Sequence, residues 1–230
     1  MKKLIAILLL FVFLGGNNTI KIINLNLNQC IVLNKYQFDS TFFINSLNVR
    51  KEFNFLNCPR IIEYNISQNW TIEPLLTGIP LDRQRKTDKT NQVLENAKSN
   101  IFELYKKTKT NISLESYVDS KMIEIKKEID SLNSFYNNVQ KEKLHSISDY
   151  IFSRLQRYSS RRTFIQLAMT HGDFHLGNII YDYKNLPLEF KIIDWEYSDI
   201  RCIWYDNLFL ELNSSSTKNL SFRIKKWIKE

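Results

Sequence analysis

With 230 residues, 43% of them hydrophobic and 13% aromatic, the chain has enough apolar matter for a folded core and is neither collagen-like nor disordered in composition. Its formal net charge of +8 favours anionic partners, yet the basic groups at Arg83 to Lys89, Arg157 to Arg162 and Arg223 to Lys229 carry no RNA-binding or zinc-finger signature, so no nucleic acid partner is expected. The three cysteines, Cys30, Cys58 and Cys202, are odd in number and form no CxxC pair, which excludes a disulfide framework and a structural zinc site and suits a reducing compartment.

Met1 to Gly16 combines two lysines, an apolar run from Leu4 to Leu14 and small residues, so it reads either as a secretory signal or as a first strand. The run is too short for an ordinary transmembrane helix, and Gly15, Gly16 and Asn17 make no Ala-x-Ala cleavage site. The turn-rich Gly15 to Asn18 followed by Thr19 to Ile23 and Cys30 to Leu33 predicts a β-rich meander. Apolar spacing at Val49, Phe53 and Leu56 predicts a helix over Asn45 to Leu56, stopped by Pro59. Ile61 to Tyr64 and Trp70 to Glu73 read as strands, and Pro74 to Pro80 as a connector. The lobe boundary is expected there, giving an N-terminal lobe at 1–73 and a C-terminal lobe at 74–230.

From Asn91 to Tyr158 apolar residues recur at helical spacing, as at Val93, Ala97, Ile101 and Leu104, and predict three helices whose charge runs are solvated faces. Then come an apolar stretch at Ile165 to Met169, the cluster HGDFHLGN, and two strand-like runs, Ile179 to Tyr183 and Leu188 to Ile193, with Asp194 directly after them. Trp204 to Leu212 and Phe222 to Ile228 read as closing helices around a Ser214 to Ser216 loop.

Within HGDFHLGN, Asp173 and Asn178 have the separation of the kinase catalytic-loop pattern H-x-D-x-x-x-x-N, in which a carboxylate meets a substrate hydroxyl while an amide reaches a metal. A hard cation such as Mg²⁺ takes oxygen ligands, and Asn178 with Asp194 supplies two, nucleotide phosphates and water supplying the rest. Asp173 would orient and deprotonate an acceptor hydroxyl, with His171 orienting the loop. The rival chemistry takes His171, Asp173 and His175 as a transition-metal site, but leaves Asn178 and Asp194 without roles.

HGDFHLGN followed by IIDWEYS resembles the aminoglycoside phosphotransferase and choline kinase family, and IDWEYS looks most like its bacterial choline kinase branch. The resemblance implies an α+β, protein-kinase-like bilobal fold, with a small β-rich N-lobe and a larger, mainly helical C-lobe. It implies Asp173 as catalytic base, Asn178 and Asp194 as Mg²⁺ ligands and Glu196 beside the metal. FLGGNNTIKII is similar to the family's glycine-containing hairpin over the nucleotide, where Gly15 and Gly16 let backbone N–H groups approach phosphate; the alternative is an ordinary glycine turn.

CIVLNKY is similar to the family's lysine-bearing strand, so Lys35 would contact phosphates and pair with Glu52 on the next helix. Family members often carry the lysine where this chain has Asn34, and a shift of one residue turns a strand side chain to the other face. TIEPLLTGIPL is similar to the hinge, with Ile72, Glu73 and Leu75 as adenine contacts. Beyond EYS the chain reads DIRCIWYDN instead of the family's usual loop, though Asp206 keeps its expected spacing, and the substrate-binding helical region is shorter than customary.

Trp195 and Tyr197, with Trp204 and Tyr205, would serve as an aromatic box for a quaternary ammonium, with core packing as the alternative. The expectation is thus a cytoplasmic kinase using ATP and Mg²⁺ on a small-molecule hydroxyl, choline or a related amino alcohol, without stable membrane insertion. The alternatives are an aminoglycoside or sugar kinase, an impaired nucleotide-binding pseudokinase, or a secreted protein if 1–16 is a signal. Oligomeric state is not legible in the sequence.

Overall fold

A computed structural model describes residues 11–15, 19–35, 40–132, 136–159, 164–182, 189–212 and 220–229. Gly16, the tip of the expected hairpin at 183–188 and the serine loop lie outside them. The chain divides into two compact units, one formed by 1–108 with 168–230 and the other by 109–167.

The first unit opens with a five-stranded antiparallel sheet of β1 (Phe11–Gly15), β2 (Thr19–Asn24), β3 (Gln29–Asn34), β4 (Glu63–Asn65) and β5 (Trp70–Pro74), in the order β1-β2-β3-β5-β4. The asparagines between β2 and β3 make the turn. Asn24 Oδ1 accepts from the Asn26 and Leu27 amides, and Asn28 takes a left-handed φ of 48°, which asparagine tolerates better than most residues. Pairing sets the faces: Thr19 lies opposite Asn34, Lys21 opposite Val32 and Ile23 opposite Cys30, while Val32 and Cys30 face Thr71 and Glu73 on β5. Because strand side chains alternate, these residues share one side of the sheet. The apolar run before Gly15 ends in β1, paired along its length with β2, as the strand reading expected.

Helix α1 (Ser40–Glu52) follows β3. It overlaps the 45–56 span that the apolar spacing predicts but starts five residues earlier and ends four residues sooner. The chain leaves the helix at Phe53, whose ring meets Phe55 edge-on at 6.0 Å, so packing in the exit turn stops it well before Pro59. After β6 (Ile79–Pro80), helix α2 (Asp88–Thr108) begins with Thr87 and Thr90 exchanging side-chain to amide hydrogen bonds of 2.8 and 3.2 Å, a reciprocal cap for orphan amides. Its stripe of Val93, Ala97, Ile101 and Leu104 is buried, each residue at most 3% exposed. Burying each larger member contributes about 1.5–3 kcal/mol.

That stripe meets Phe174, Ile179, Tyr181, Phe190, Ile192 and Trp195 in one core. These come from the catalytic-loop segment and the sheet β10-β9-β6, with β9 at Ile179–Tyr181 and β10 at Phe190–Ile192. The unit closes with β11 (Asp199–Cys202), α5 (Tyr205–Leu212) and α6 (Leu220–Lys229). The second unit holds β7 (Thr110–Ser113), α3 (Leu114–Ser131) and α4 (Asn138–Ser159). Strand β8 (Phe164–Thr170) pairs with β7 through its first four residues. Ser113 caps α3 by accepting from the Ser116 amide, and Lys126–Asp149 and His145–Asp130 contacts of 2.8 and 2.9 Å join α3 to α4.

This is the expected mixed α/β, kinase-like class with a small β-sheet lobe and a mainly helical remainder. No helix among the described residues is long and apolar enough to cross a membrane.

Candidate active site

After β8 the chain turns sharply through His171 to Asn178, and a buried carboxylate holds that turn. Asp206, at the start of α5, is 1% exposed and accepts from the amides of His171 (2.8 Å) and Gly172 (2.9 Å) and from the Tyr105 hydroxyl (2.8 Å). Burial, then the Asp206 charge, pushes the Tyr105 phenol far up, so this hydroxyl stays a donor. Gly172 has φ of +87°, and a Cβ there would run into the Tyr197 carbonyl and crowd the Arg201 guanidinium. Gly172→Ala is therefore expected to lower stability by at least about 2 kcal/mol, read as a lower melting temperature, because both backbone conformation and space are wrong for alanine.

His171 is wholly buried, its ring tilted on Trp195 at 4.5 Å. Its Nε2 donates to the Ile193 carbonyl at 2.8 Å while Nδ1 accepts from the Asp173 amide at 3.2 Å. Only a neutral imidazole satisfies both bonds, and burial pushes its pKa down against the raising effects of Asp206, Ile193 and Asp173. His171 thus stitches the His-Gly-Asp loop to the strand end that carries Asp194. A second stitch runs beside it, from the Ile193 amide to the Asn178 carbonyl at 2.9 Å.

Asn178, 5% exposed, turns its amide nitrogen to the Asp173 carbonyl (2.9 Å) and to Asp173 Oδ2 (3.1 Å). Its own Oδ1 is left over as a hard donor. His175 Nε2 stands 3.5 Å from Asp173 Oδ2, while its Nδ1 accepts from the Gly177 amide. Both partners meet Oδ2, and Oδ1 of Asp173 has no partner among the described residues. Burial pushes the Asp173 carboxyl up, but the bond and charge of His175 and the bond from Asn178 outweigh it, so the group lies below its ordinary value and is ionised at neutral pH. The same Asp173 bond raises the His175 imidazole, against its burial. The His171–Asp173–His175 metal alternative fails, since both His171 nitrogens are already engaged.

Asp194 opens a short 3-10 turn, Trp195–Tyr197, from a left-handed φ of 61°, and its side chain is exposed. A non-glycine residue held there costs about 1–3 kcal/mol. Asp194 and Glu196 line a cavity of about 260 Å³ whose roof is the sheet face of Thr19, Lys21, Ile23, Cys30, Val32 and Asn34. Asn178 and Asp194 fit a Mg²⁺ ion in donor chemistry, as two hard oxygens that leave room for phosphate and water. Among the described residues there is no group of three or more His, Cys, Asp or Glu side chains arranged to hold a metal.

Around this cavity the expected contacts divide. Glu73 and Leu75 line it, whereas Ile72, paired with Ile31, is on the other face of the sheet. Gly15 ends β1, and Gly16 lies outside the described residues. The cavity-facing positions of β3 are 30, 32 and 34, so Asn34 borders the cavity and Lys35, one residue on, does not. The expected Lys35–Glu52 pair is also absent among the described residues. Glu52 is the exposed last residue of α1, and the helix instead sends Arg50 inward to Glu73 Oε1 at 2.7 Å and to the Pro59 carbonyl at 2.6 Å. Trp195, 1% exposed with its indole N–H on the Ile192 carbonyl, belongs to the core, which removes it from the aromatic box; Tyr197 is 39% exposed, its ring 5.3 Å from Phe42. Sequence reasoning noted the spacing of Asp206 but gave it no task, and nothing in the sequence signals Tyr105. Cys30, Cys58 and Cys202 are free thiols, as expected.

A β-sheet roof, a stitched His-Gly-Asp loop and an acidic turn beneath the cavity define the class of kinase-like phosphotransferases. The model of the ecdysteroid kinase-like family matches residues 84–229, well over half the chain, and the protein belongs to that family. No curated protein matches the sequence. Among solved structures, the chain is similar to a choline/ethanolamine kinase family protein from Mesorhizobium loti, at 12% identity and a TM-score of 0.56 over 94% of this chain and 68% of that one. It is similar to aminoglycoside phosphotransferase APH(3'')-Id from Streptomyces rimosus in complex with ADP and streptomycin, at 14% identity and a TM-score of 0.57 over 98% and 90%. Aminoglycoside phosphotransferase APH(4)-Ia gives 12% identity and a TM-score of 0.57 over 100% and 83%. At these identities the likeness is one of fold, and it agrees with the family resemblance of HGDFHLGN and IIDWE.

Proposed function

We propose that the protein transfers the γ-phosphoryl group of ATP to a hydroxyl of a small molecule, with Mg²⁺ held by Asn178 and Asp194. The observation that carries this reading is the division of labour on Asp173: Oδ2 is fixed by Asn178 and His175, and Oδ1 remains free. An acceptor hydroxyl donates its proton to Oδ1, and the oxygen so exposed attacks the γ-phosphorus while the bond to the ADP oxygen breaks. Such a transfer asks the protein mainly for positioning and charge neutralisation. The metal supplies neutralisation of phosphate charge when bound. His171 keeps the loop and the Asp194 segment in register.

The cavity, bounded by Glu73 and Leu75 on the hinge side, is the nucleotide seat in this reading, and the lobe boundary is taken at 73/74. For the acceptor, an amino alcohol such as choline is the first choice, with Tyr197 and the 59%-exposed Trp204 as its aromatic contacts. The family's name adds an ecdysteroid hydroxyl to the aminoglycoside and sugar alternatives. A cytoplasmic location suits free cysteines and the pairing of Phe11–Gly15 as β1; no nucleic acid partner or inserted membrane segment is invoked.

The deciding experiment incubates the full chain with γ-labelled ATP, Mg²⁺ and separate choline, ethanolamine, glucosamine, aminoglycoside and ecdysteroid acceptors. Transfer to one supports the reading. Nucleotide bound without transfer to any supports a second one, a binding pseudokinase, favoured by Asn34 standing where the family carries its lysine. Asp194→Ala is expected to weaken Mg²⁺-dependent ADP binding at least tenfold while leaving Mg²⁺-free binding unchanged; an unaltered metal titration would remove Asp194 from the ligand set.

A further inference from the structure

We propose that Lys21 of β2, helped by the Asn34 amide, is the cation that meets the nucleotide's phosphates, in place of a lysine on β3. This rests on reading the cavity as the nucleotide seat. A polyphosphate needs positive charge where its oxygens lie, and two cationic side chains line the cavity, Lys21 and Arg50. Arg50 has its charge met by Glu73 at Nη1 and its Nη2 on the Pro59 carbonyl, which leaves only its buried Nε without a partner among the described residues. The Lys21 ammonium makes no ion pair among the described residues.

The cross-strand rows give the cavity two unlike ends. At one end stand Thr19 and Asn34, with Lys21 in the next row; at the other stand Ile23, Cys30 and Leu75, with Glu73 opposite Cys30 and its charge met by Arg50. The first end adjoins the end of β1 at Gly15, which pairs with Ile20, and the second the chain after β5. Phosphates fit the polar end and a base the apolar one. Asn34 adds an independent sign: its Nδ2 is buried without a hydrogen-bond partner among the described residues, a donor with room for an acceptor oxygen. Lysine at 21 and lysine at 34 would approach the same point from neighbouring strands, since Thr19, directly opposite Asn34, is two residues from Lys21 on the same face.

The test is calorimetric titration of the full chain and its variants with Mg-ADP and with adenosine. Lys21→Met is expected to weaken Mg-ADP at least tenfold and adenosine less than twofold, Lys21→Arg to keep Mg-ADP within about threefold, and Lys35→Met to lose less than Lys21→Met. Mg-ADP binding by Lys21→Met within twofold of the wild type would overturn the assignment. A larger loss in Lys35→Met, or an equal loss of adenosine in Lys21→Met, would do the same. A wild-type protein that binds neither ligand overturns the nucleotide reading, and this assignment with it.

Discussion

Asp173→Asn is expected to cut the rate of phosphoryl transfer by about 10²–10⁴-fold, the range a positioned general base supplies. The amide side chain keeps the shape of the carboxylate and still offers an oxygen to Asn178, so the loop retains its stitching. What disappears is the ability of Oδ1 to take a proton. Melting temperature and nucleotide affinity are expected to stay near wild type, and kcat and kcat/KM to fall together. Single-turnover rates with labelled ATP and the best acceptor are the measurement. Turnover within threefold of wild type would remove Asp173 from the base's role, whatever the acceptor.

Asp206→Ala is expected to act on the fold. Three buried donors, the His171 and Gly172 amides and the Tyr105 hydroxyl, lose their acceptor together. Leaving such groups unpaired costs about 3–5 kcal/mol in all, toward the upper range of single substitutions. For a chain of this size each kcal/mol moves the midpoint by about 2–4 °C, so a fall on the order of 10 °C is expected. Tyr105→Phe serves as the graded comparison, since it removes one donor and leaves the carboxylate two; its loss should be about 1 kcal/mol. Thermal melts of both variants check this, and equal losses would mean that the phenol, not the backbone turn, is what Asp206 supports.

The part of the site legible in the sequence is the part whose chemistry is local. Asp173 and Asn178 lie in one loop, and a carboxylate five residues before an amide has few structural reasons to recur beside IIDWE. Asp194 is marked by its place at a strand end. The lysine is different, because its role depends on which face it takes, and the β2-β3-β5 pairing decides that. Asn34 and Lys35 differ by one position and by a whole sheet face. The Arg50–Glu73 link spans 23 residues and joins a helix to a strand, so no periodicity contains it. Tyr105 was not readable as a donor to residue 206, a contact between distant segments. Trp195 is ambiguous for another reason: an aromatic next to Asp194 serves a pocket or a core equally well by composition, and burial against His171 decides it.

The anchoring of Arg50 bears on how a ligand is received. Protein kinases ready themselves by swinging a helix until its glutamate finds the lysine of the neighbouring strand. Here the helix reaches the sheet with an arginine whose side chain is 8% exposed and is clasped by both Glu73 and the Pro59 carbonyl. Those bonds involve no ligand atom, so α1 is moored before any nucleotide arrives. In the proposed nucleotide reading, binding free energy is then not drawn into moving a helix, because that wall of the seat is already built.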